Sequence, residues 1–435
     1  MSVDSAYRTV EDYLSGRRAA LVREPVGGLR RPFIDPSSVY TGQLWDWDAY
    51  FTLLALQPHL PVAPVARDCV QNFIEHQRDD GSMPYRIAAD STPGGERRPD
   101  DSPFNSAKPV LAQMALLGAR DDPDWAAAAL PALRSHTRHW EQTQHCRNGL
   151  FCWRSHRGSG ADNHPGVYGR PLNATAGIDL NCLFVAEYRA LASLCAAAGD
   201  AEHQTLFSSQ AEQLAERVRH LLWDPVAEDF CHADVLSSTP EGVNQEADWA
   251  VPLRYRSWVG FYALWAGVAT RAQAQRLVSR VFSSDDLVCE HGLRTLSSRE
   301  PLFHLSRSAN PSNWQGPVWV MSNYIAFSGL LRNGFTPQAR HILEGTLTML
   351  ARDIERHGTL HEYYHPDTGE GLMNPGFLNW NLLATTMHRE FAAATAEQDR
   401  SGPSQSGRSG PSQSGRSGPS QSGPGQSAAG VQPQD

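Results

Sequence analysis

Apolar residues recur at the three-to-four-residue spacing of amphipathic helices through most of the first 395 residues. Twelve segments show this period, several with a face rich in Ala and Leu: 5–22, 49–59, 64–78, 106–119, 123–143, 175–198, 202–222, 256–268, 270–283, 312–332, 336–356 and 376–395. Strand-like alternation is confined to short stretches in the loops. The pattern therefore predicts an all-α protein of about a dozen helices.

Short turns separate many of these segments into pairs. Gly199-Asp200 and the stretch from Asn333 to Pro337 contain the Gly, Asp and Pro that end one helix and begin the next. Thr336-Pro337 is typical of an N-cap followed by Pro at the first helical position. We expect helical hairpins, and about 395 residues suffice to close such pairs into a ring.

The C-terminal tail has a different composition. Arg-Ser-Gly-Pro-Ser-Gln-Ser-Gly occurs three times in succession, beginning at Arg400, Arg408 and Arg416. Such a segment has almost nothing apolar to bury, so it cannot offset the entropy that folding removes. We predict one folded domain over residues 1–395 and a disordered low-complexity tail over residues 396–435.

Residues 357–371 form a loop that follows neither the helical nor the strand period. Gly, Pro and aromatic residues crowd around Glu362, which is followed by Tyr363 and Tyr364. Partial desolvation by such neighbours raises the pKa of a carboxyl group toward neutrality, which suits an acid or base catalyst. The alternative is a structured loop with a solvated glutamate.

Other loops between the helices carry tryptophan beside polar residues. The chain contains 12 Trp, and the polar-flanked stretches are Trp45 to Asp48, Phe151 to Asn163, Asn313 to Trp319 and Asn379 to Asn381. A sugar stacks its C–H face on an indole ring while its hydroxyl groups meet neighbouring amides and carboxylates. The loops therefore favour a sugar ligand, although some Trp side chains would simply anchor loops to the helices.

Composition and charge exclude several classes of function. The net charge of −9 argues against nucleic acid as a partner, and an anionic substrate would need a local cluster of Arg. Seven Cys without a C-x-x-C pair predict buried, reduced thiols, and 17 His without an H-E-x-x-H motif predict no metal. We expect no cofactor. No signal-peptide pattern and no apolar run of about 18 residues is evident, so we expect a cytoplasmic protein without membrane contact.

Lysine is almost absent from this chain. Lys108 is the only Lys among 38 Lys and Arg residues. A coding bias that replaces Lys by Arg explains the scarcity, but it leaves open why this one residue remains. A compact ammonium and a planar guanidinium are not interchangeable, so position 108 is a candidate for a role that needs the ammonium.

Five stretches, in order over residues 30–385, resemble one enzyme family. Trp47-Asp48-Ala-Tyr-Phe is similar to W-D-x-[YF]-[FW], and residues 314–319 resemble W-R-G-P-x-W with Gln315 in place of Arg. With residues 158–163, Asp179-Leu-Asn and Glu362-Tyr-Tyr-x-Pro-x-Thr-Gly, they resemble glycoside hydrolase family 63 and, more distantly, the trehalases. The resemblance implies an (α/α)6 barrel, a sugar pocket formed by loops, and an inverting mechanism.

The length of the chain helps to choose among the substrates that the resemblance implies. The chain has no room for the β-sandwich domain of the larger processing glucosidases, and it most resembles the hydrolases that release mannose or glucose from D-glycerate. A trehalase-like enzyme or an oligosaccharide α-glucosidase is the alternative, as is an inactive sugar-binding barrel. A phosphorylase would need a Gly-rich phosphate loop leading into a helix, which we do not find. The partner is then a small sugar, and no pattern selects an oligomeric state.

The resemblance assigns the catalytic roles to Asp179 as general acid and Glu362 as general base. An inverting enzyme separates these carboxyl groups by about 6.5–9.5 Å so that water fits between the base and the sugar. Asp179 must be protonated, which requires a raised pKa. Its place in the first turn of helix 175–198 opposes this, because the helix dipole favours the charged form. Desolvation and neighbouring carboxylates must therefore outweigh the dipole, or the helix begins at another residue.

Further residues are expected to bind substrate. By the same resemblance Asp48 holds sugar hydroxyls while Trp47 stacks, and Tyr40 lies toward the leaving group. The remaining candidates are Gln113, Asp162, Asn163, Trp314, Gln315 and Trp319. A glycerate carboxylate would suit a bidentate contact with Arg, for which the loops offer five candidates without selecting one: Arg154, Arg157, Arg170, Arg254 and Arg256.

Overall fold

The structure is a computed structural model that describes residues 2–92, 105–119, 122–236, 249–306 and 312–400. Contacts between Cα atoms divide the chain into one unit of residues 1–394 and a second of residues 395–435. Of the second unit, the structure describes only the end of the last helix. The predicted disorder of the repeat tail therefore concerns residues outside the described part.

Helices dominate the described residues. They are α1 (Val3–Ser15), α2 (Asp46–Leu56), α3 (Val62–Glu75), α4 (Leu111–Gly118), α5 (Pro123–Thr143), α6 (His156–Ser159), α7 (Ile178–Ala197), α8 (Ala201–Leu221), α9 (Tyr262–Trp265), α10 (Arg271–Val281), α11 (Val320–Arg332), α12 (Thr336–His357) and α13 (Leu383–Arg400). Short 3-10 turns cover Arg18–Leu21, Ser38–Tyr40, Trp258–Phe261 and Trp380–Leu382.

The strands are only two or three residues long. They are β1 (Val22–Arg23), β2 (Phe33–Ile34), β3 (Gln43–Trp45), β4 (Arg86–Ala88), β5 (Thr175–Ala176), β6 (Trp223–Asp224), β7 (Asp229–Phe230), β8 (His232–Asp234), β9 (Val251–Leu253), β10 (Val288–Cys289) and β11 (Gly292–Leu293). All pairing is antiparallel; β5, β8 and β9 form one sheet, and the others pair as β1-β2, β3-β4, β6-β7 and β10-β11.

Each of the twelve predicted segments contains a helix, but several boundaries differ. The helix predicted from residue 312 begins at Val320, because residues 312–319 are a loop whose Trp side chains mimic a helical period. The helix predicted from residue 376 begins at Leu383, and the one predicted to reach residue 22 ends at Ser15. Phe335, not Thr336, is the N-cap of α12.

Five helices and one 3-10 turn contact one another around a closed ring. In order they are α2, α4, α7, α9, α11 and the 3-10 turn that leads into α13, which returns to α2. Outer helices pack on them, with α3 on α4, α5 and α8 on α7, and α12 on α11. Inner helices such as α2 and α11 are buried on nearly every side. The predicted all-α class is confirmed, and the helical pairing is consistent with the (α/α)6 barrel.

Helix α7 shows what an inner position demands of the sequence. By length and composition it could cross a membrane, a feature that the apolar pattern had not singled out. However, 72% of its most apolar stretch is buried inside the fold, in contact with α4, α5, α8 and α9. A helix surrounded by other helices must be apolar all round, which accounts for the composition.

The direction of the inner helices determines where the predicted site residues lie. Since an outer helix separates successive inner helices along the chain, the inner helices begin at the same end of the ring. Asp48 lies in the first turn of α2, Asp179 in the first turn of α7, and Trp319 is the N-cap of α11. The loops and short strands that precede these helices therefore converge at one end.

One buried carboxylate links two inner helices and provides a test of the ring. Glu187 of α7 accepts hydrogen bonds from the backbone N–H groups of Ala112 at 2.7 Å and Gln113 at 3.2 Å. These belong to the first turn of α4, where no helical partner exists. We expect Glu187→Ala to lower the free energy of unfolding by about 2–3 kcal/mol, measured by urea denaturation. Glu212→Ala, at an exposed position of α8, is the control, and equal stability of the two variants would contradict this role.

Candidate active site

A cavity of about 560 Å³, including its open mouth, lies among the loops that precede the inner helices. Seven residues predicted to bind or cleave the sugar line it: Tyr40, Trp47, Asp48, Asp162, Trp314, Trp319 and Glu362. Seven others share the lining: Trp45, Tyr85, Lys108, Arg157, Gly160, Ser312 and Trp380. The structure thus brings together residues that are more than 300 positions apart in the chain, such as Tyr40 and Glu362.

Glu362 is held between two polar side chains. The Tyr40 hydroxyl donates to Oε1 at 3.4 Å, and the Asn374 amide donates to Oε2. Burial raises the pKa of Glu362 to about 7, although both hydrogen bonds oppose the shift. Asn374 holds this position with φ 48°, a left-handed backbone that few non-Gly residues adopt. The local backbone conformation thus serves to aim an amide at the carboxylate.

Asp48 is a second buried carboxyl group of the cavity. The Asn379 amide N–H donates to Asp48 Oδ1 at 2.6 Å. The Thr52 hydroxyl donates to the carbonyl oxygen of the same Asn379 amide at 2.6 Å, which fixes the orientation of that amide. Burial raises the pKa of Asp48 to about 8, and the Lys108 ammonium opposes the rise. A carboxyl group in this range can both donate to and accept from sugar hydroxyls.

Asp179 is not among the residues that line the cavity, and only 7% of its side-chain surface is exposed. Its Oδ1 accepts from the Trp153 indole at 3.0 Å and from the backbone N–H of Leu180 at 2.8 Å. Burial nevertheless raises the pKa of Asp179 to about 6 against these bonds. Desolvation therefore outweighs the hydrogen bonds to the charged form at the helix start, as the acid role requires. Both bonds fall on Oδ1, so Oδ2 is the oxygen that would carry the proton.

A neutral histidine lies behind Asp179. His232 Nδ1 is 3.7 Å from Asp179 Oδ1 and accepts the backbone N–H of Ile178 at 3.1 Å. Because Nδ1 accepts, the proton of the neutral ring is on Nε2. Burial lowers the pKa of His232 to about 3, so the ring carries no charge that would ionise Asp179. Gly177 leaves room for this packing, since a Cβ there would lie 2.2 Å from Asp179 Oδ1.

Stacked aromatic rings support one wall of the cavity. Trp314 stacks on Trp319 with ring centroids 3.9 Å apart, and Trp319 stacks on Tyr363 at 4.9 Å. The indole N–H of Trp319 donates to the carbonyl of Asn313 at 2.8 Å. Trp47 approaches the same group from α2, 6.1 Å from Trp314 and 5.4 Å from Trp380. These rings give the cavity the flat apolar surface that sugar rings require.

Three of the predicted sugar-binding residues are not on the cavity wall. The Gln113 amide donates to the carbonyl groups of Pro109 and Leu183 inside the ring. Asn163 accepts the backbone N–H of Trp314 at 2.6 Å, and the Gln315 amide donates to the carbonyl of Asn163 at 2.7 Å. The amides of Asn163 and Gln315 thus join the loops that hold the Trp side chains, and direct contact of all three residues with sugar stays a prediction.

Several site residues escaped the sequence reasoning. Trp45 and Trp380 belong to the polar-flanked Trp stretches and could have been chosen by the same criterion. Tyr85 and Asn374 had no such signal, because only the fold brings them to the site. All seven Cys are buried and unpaired, and the described residues include no group of three or more His, Cys, Asp and Glu that could hold a metal ion.

The chain resembles known glycoside hydrolases. A family model for the mannosylglycerate hydrolase MGH1-like glycoside hydrolase domain matches residues 41–380. A probable mannosyl-oligosaccharide glucosidase of Schizosaccharomyces pombe is 22% identical over 244 residues, which are 53% of this chain and 28% of that protein. The mannosylglycerate hydrolase of Rubrobacter radiotolerans is 27% identical over 191 residues, 44% of this chain and 38% of that protein. The matched segments thus span well under half the length of these relatives.

Solved structures share the fold. The GH63 mannosylglycerate hydrolase from Thermus thermophilus in complex with glucose is 20% identical, with a TM-score of 0.64 over 86% of this chain and 100% of that chain. Neutral trehalase from Saccharomyces cerevisiae is 18% identical, with a TM-score of 0.61 over 84% of this chain and 76% of that chain. Since the family model matches well over half of the sequence, the chain belongs to the family of mannosylglycerate hydrolase MGH1-like glycoside hydrolase domains.

Proposed function

We propose that this protein is an inverting α-glycoside hydrolase that releases mannose or glucose from a glycoside of D-glycerate. The observation that carries the proposal is that one cavity joins the buried carboxyl of Glu362 and its Trp walls to the cation of Arg157. Three of the other Arg candidates pair with carboxylates elsewhere, in the pairs Arg170–Asp234, Arg254–Asp224 and Arg256–Asp286. Of the five Arg candidates, Arg157 is the one that lines the cavity, and we propose that it binds the anionic leaving group.

The two carboxyl groups supply complementary steps. Asp179, protonated on Oδ2, donates to the glycosidic oxygen as the bond to the leaving group breaks. Glu362, ionised, removes a proton from the water that attacks the anomeric carbon from the opposite face. Asn374 occupies Oε2, while the Tyr40 hydroxyl is 3.4 Å from Oε1, so Oε1 keeps the weaker partner and is the oxygen for water. The sugar leaves with inverted configuration.

A neutral substrate is the second candidate. The glucosidase of Schizosaccharomyces pombe supports an oligosaccharide, and the shared fold of the yeast trehalase supports a disaccharide of glucose. Arg157 would then have no anion to bind. The inactive sugar-binding alternative is disfavoured, because both carboxyl groups are buried and have the raised pKa values that acid and base catalysis require.

A release assay distinguishes these substrates. The purified protein is offered mannosylglycerate, glucosylglycerate, trehalose and an α-glucosyl oligosaccharide separately, and the anomer of the freed sugar is followed by NMR. We expect rapid release from one glycerate glycoside, with the β anomer appearing first. Release from a neutral substrate alone would replace the anionic substrate, and initial release of the α anomer would contradict inversion.

Arg157 provides a test of the anionic leaving group. Arg157→Gln should raise KM for the glycerate glycoside by about 10- to 150-fold, the value of a lost hydrogen bond to a charged group. The same variant should leave hydrolysis of the methyl glycoside, which has no carboxylate, nearly unchanged. Arg254→Gln, which alters a pair with Asp224 away from the cavity, is the control. An equal rise of KM for both substrates would show that Arg157 does not bind the carboxylate.

The pKa values predict the pH dependence of the free enzyme. Activity needs Asp179 protonated and Glu362 ionised, while their pKa values are about 6 and about 7. Asp179 loses its proton above pH 6, and Glu362 gains a proton below pH 7. The fraction of enzyme in the active form, and with it kcat/KM, should therefore peak near pH 6.5, at about the mean of the two pKa values. We expect about a tenfold fall for each further pH unit outside pH 5–8. A profile that stays level from pH 5 to 9 would contradict the assignment.

A further inference from the structure

Lys108 is a buried cation in the wall of the cavity. Only 2% of its surface is exposed, yet it is among the lining residues. Its Nζ donates to Asp46 Oδ1 at 3.2 Å, and its backbone N–H donates to Asp46 Oδ2 at 2.7 Å. Asp46 is fully buried and begins α2. The ion pair therefore fixes the ammonium against the helix that carries Trp47 and Asp48.

The ammonium retains donors that the described residues do not use. Among the described residues, only Asp46 accepts a hydrogen bond from Nζ, and an ammonium has three donors. The ammonium also lies over the face of Trp47, whose ring centroid is 4.7 Å away. A cation over an indole is attracted to the ring but donates no conventional hydrogen bond. Two N–H groups are thus available to a ligand in the cavity.

The same ammonium acts on two carboxyl groups of the site. It opposes the rise of the pKa of Asp48 and that of Asp179. Lys108, Asp48 and Asp179 therefore share one electrostatic environment. Lys108 and Asp48 line the same cavity. A donor and a carboxyl group in one cavity suit neighbouring hydroxyls of a hexose, where one hydroxyl accepts a hydrogen bond and the next donates one.

We infer that the Lys108 ammonium binds a hydroxyl group of the hexose beside Asp48, and that arginine cannot replace it. This inference rests on the proposed function, since it needs a sugar in the cavity. It also explains why this position remains Lys in a chain whose other 37 of 38 Lys and Arg residues are Arg.

The packing of Trp47 explains why arginine would fail. A Cβ added to Gly160 would lie 2.3 Å from Trp47 Cζ2, so the ring already touches the backbone there. Trp380 meets the ring edge-on at 5.4 Å. Trp47 therefore cannot withdraw to admit a planar guanidinium, which is wider than an ammonium. Lys108→Arg keeps the charge next to Asp46 but should displace the indole that stacks on the sugar.

The first test measures binding of free glucose and mannose by calorimetry. Lys108→Met alone would leave Asp46 buried and unpaired and could fail to fold, so the variant is Asp46→Asn/Lys108→Met. We expect this double variant to bind the hexose about 10- to 150-fold more weakly, and Lys108→Arg at least about tenfold more weakly. Asp229→Asn/Arg280→Met, which removes an ion pair outside the cavity, is the matched control. Wild-type affinity in the double variant would overturn the inference.

A set of monodeoxy hexoses separates contact from structural support. The wild type should bind one of the monodeoxy sugars more weakly than the complete hexose. The Asp46→Asn/Lys108→Met variant should bind both equally, because it already lacks the ammonium that contacts the missing hydroxyl. Equal losses for every deoxy sugar in both proteins would mean that Lys108 supports the fold without touching the sugar. If the wild type binds and hydrolyses no hexoside, the proposed function fails with the inference. If only the deoxy pattern fails, the proposed function stands.

Discussion

Asp179→Asn is expected to lower kcat for a glycerate glycoside by at least about 10²-fold, the lower end of what a positioned acid contributes. The amide keeps an oxygen for the Trp153 indole and the Leu180 N–H, which both bond to Oδ1 in the protein. It replaces the acidic O–H at the second oxygen by an NH2 group, which cannot transfer a proton to the leaving group. Fold and sugar affinity should therefore be retained, and the loss should lie in the chemical step.

The leaving group identifies the step that is lost. The fluoride ion of a glycosyl fluoride leaves without being protonated, so Asp179→Asn should hydrolyse this substrate at nearly the wild-type rate. The pair of substrates thus serves as an internal control, measured on one protein preparation. If the variant loses the same factor on both substrates, Asp179 does not act as the acid, and its buried position behind the cavity would be structural.

The raised pKa of Asp179 shows which interaction determines the protonation state of a carboxyl group at a buried helix N-terminus. The dipole of α7, the Trp153 indole and the Leu180 N–H all favour the ionised form. Burial opposes them and prevails, with a neutral His232 at 3.7 Å adding no positive charge. The sequence could identify the conflict but not its outcome, because desolvation depends on packing from distant parts of the chain.

The longer outer helices, such as α8 and α12, were predictable because each repeats an apolar face over several turns. Their ends were less predictable. Residues 312–319 place Trp314, Val318 and Trp319 at a spacing that resembles a helix, but they form a loop from which Trp314 and Trp319 line the cavity. Local polarity cannot distinguish the two, because both environments bury the rings. The difference lies in the loop hydrogen bonds to Asn163 and Asn313, which no periodic pattern encodes.

The candidate site was predictable where residues of one motif act together, as with Trp47 and Asp48. It was not predictable where a partner comes from elsewhere in the chain, as when Asn379 meets Asp48 or Asn374 meets Glu362. Lys108 is an intermediate case. Its isolation in the composition indicated a special position, and the structure supplied the reason in Asp46 and Trp47.

Glu362→Gln is expected to lower kcat by at least about 10²-fold on the glycerate glycoside and, unlike Asp179→Asn, on the glycosyl fluoride too. Attack by water needs the base whatever the leaving group, since the proton of that water must be removed. The Gln oxygen can still accept the Asn374 amide, so the loop should keep its shape. Recovery of the variant on the fluoride would contradict the role of Glu362 as general base.

The same substitution should change the dependence of stability on pH. The pKa of Glu362 is raised from 4.5 to about 7 in the folded protein. A raised carboxyl pKa contributes stability that is fully present below the unfolded value and is lost as pH rises through the folded value. Glu362→Gln does not titrate, so its free energy of unfolding relative to wild type should increase by about 3 kcal/mol between pH 4 and pH 8. A constant difference in urea denaturation across that range would mean that the carboxyl is solvated, and the base would then lack the environment that raises its pKa.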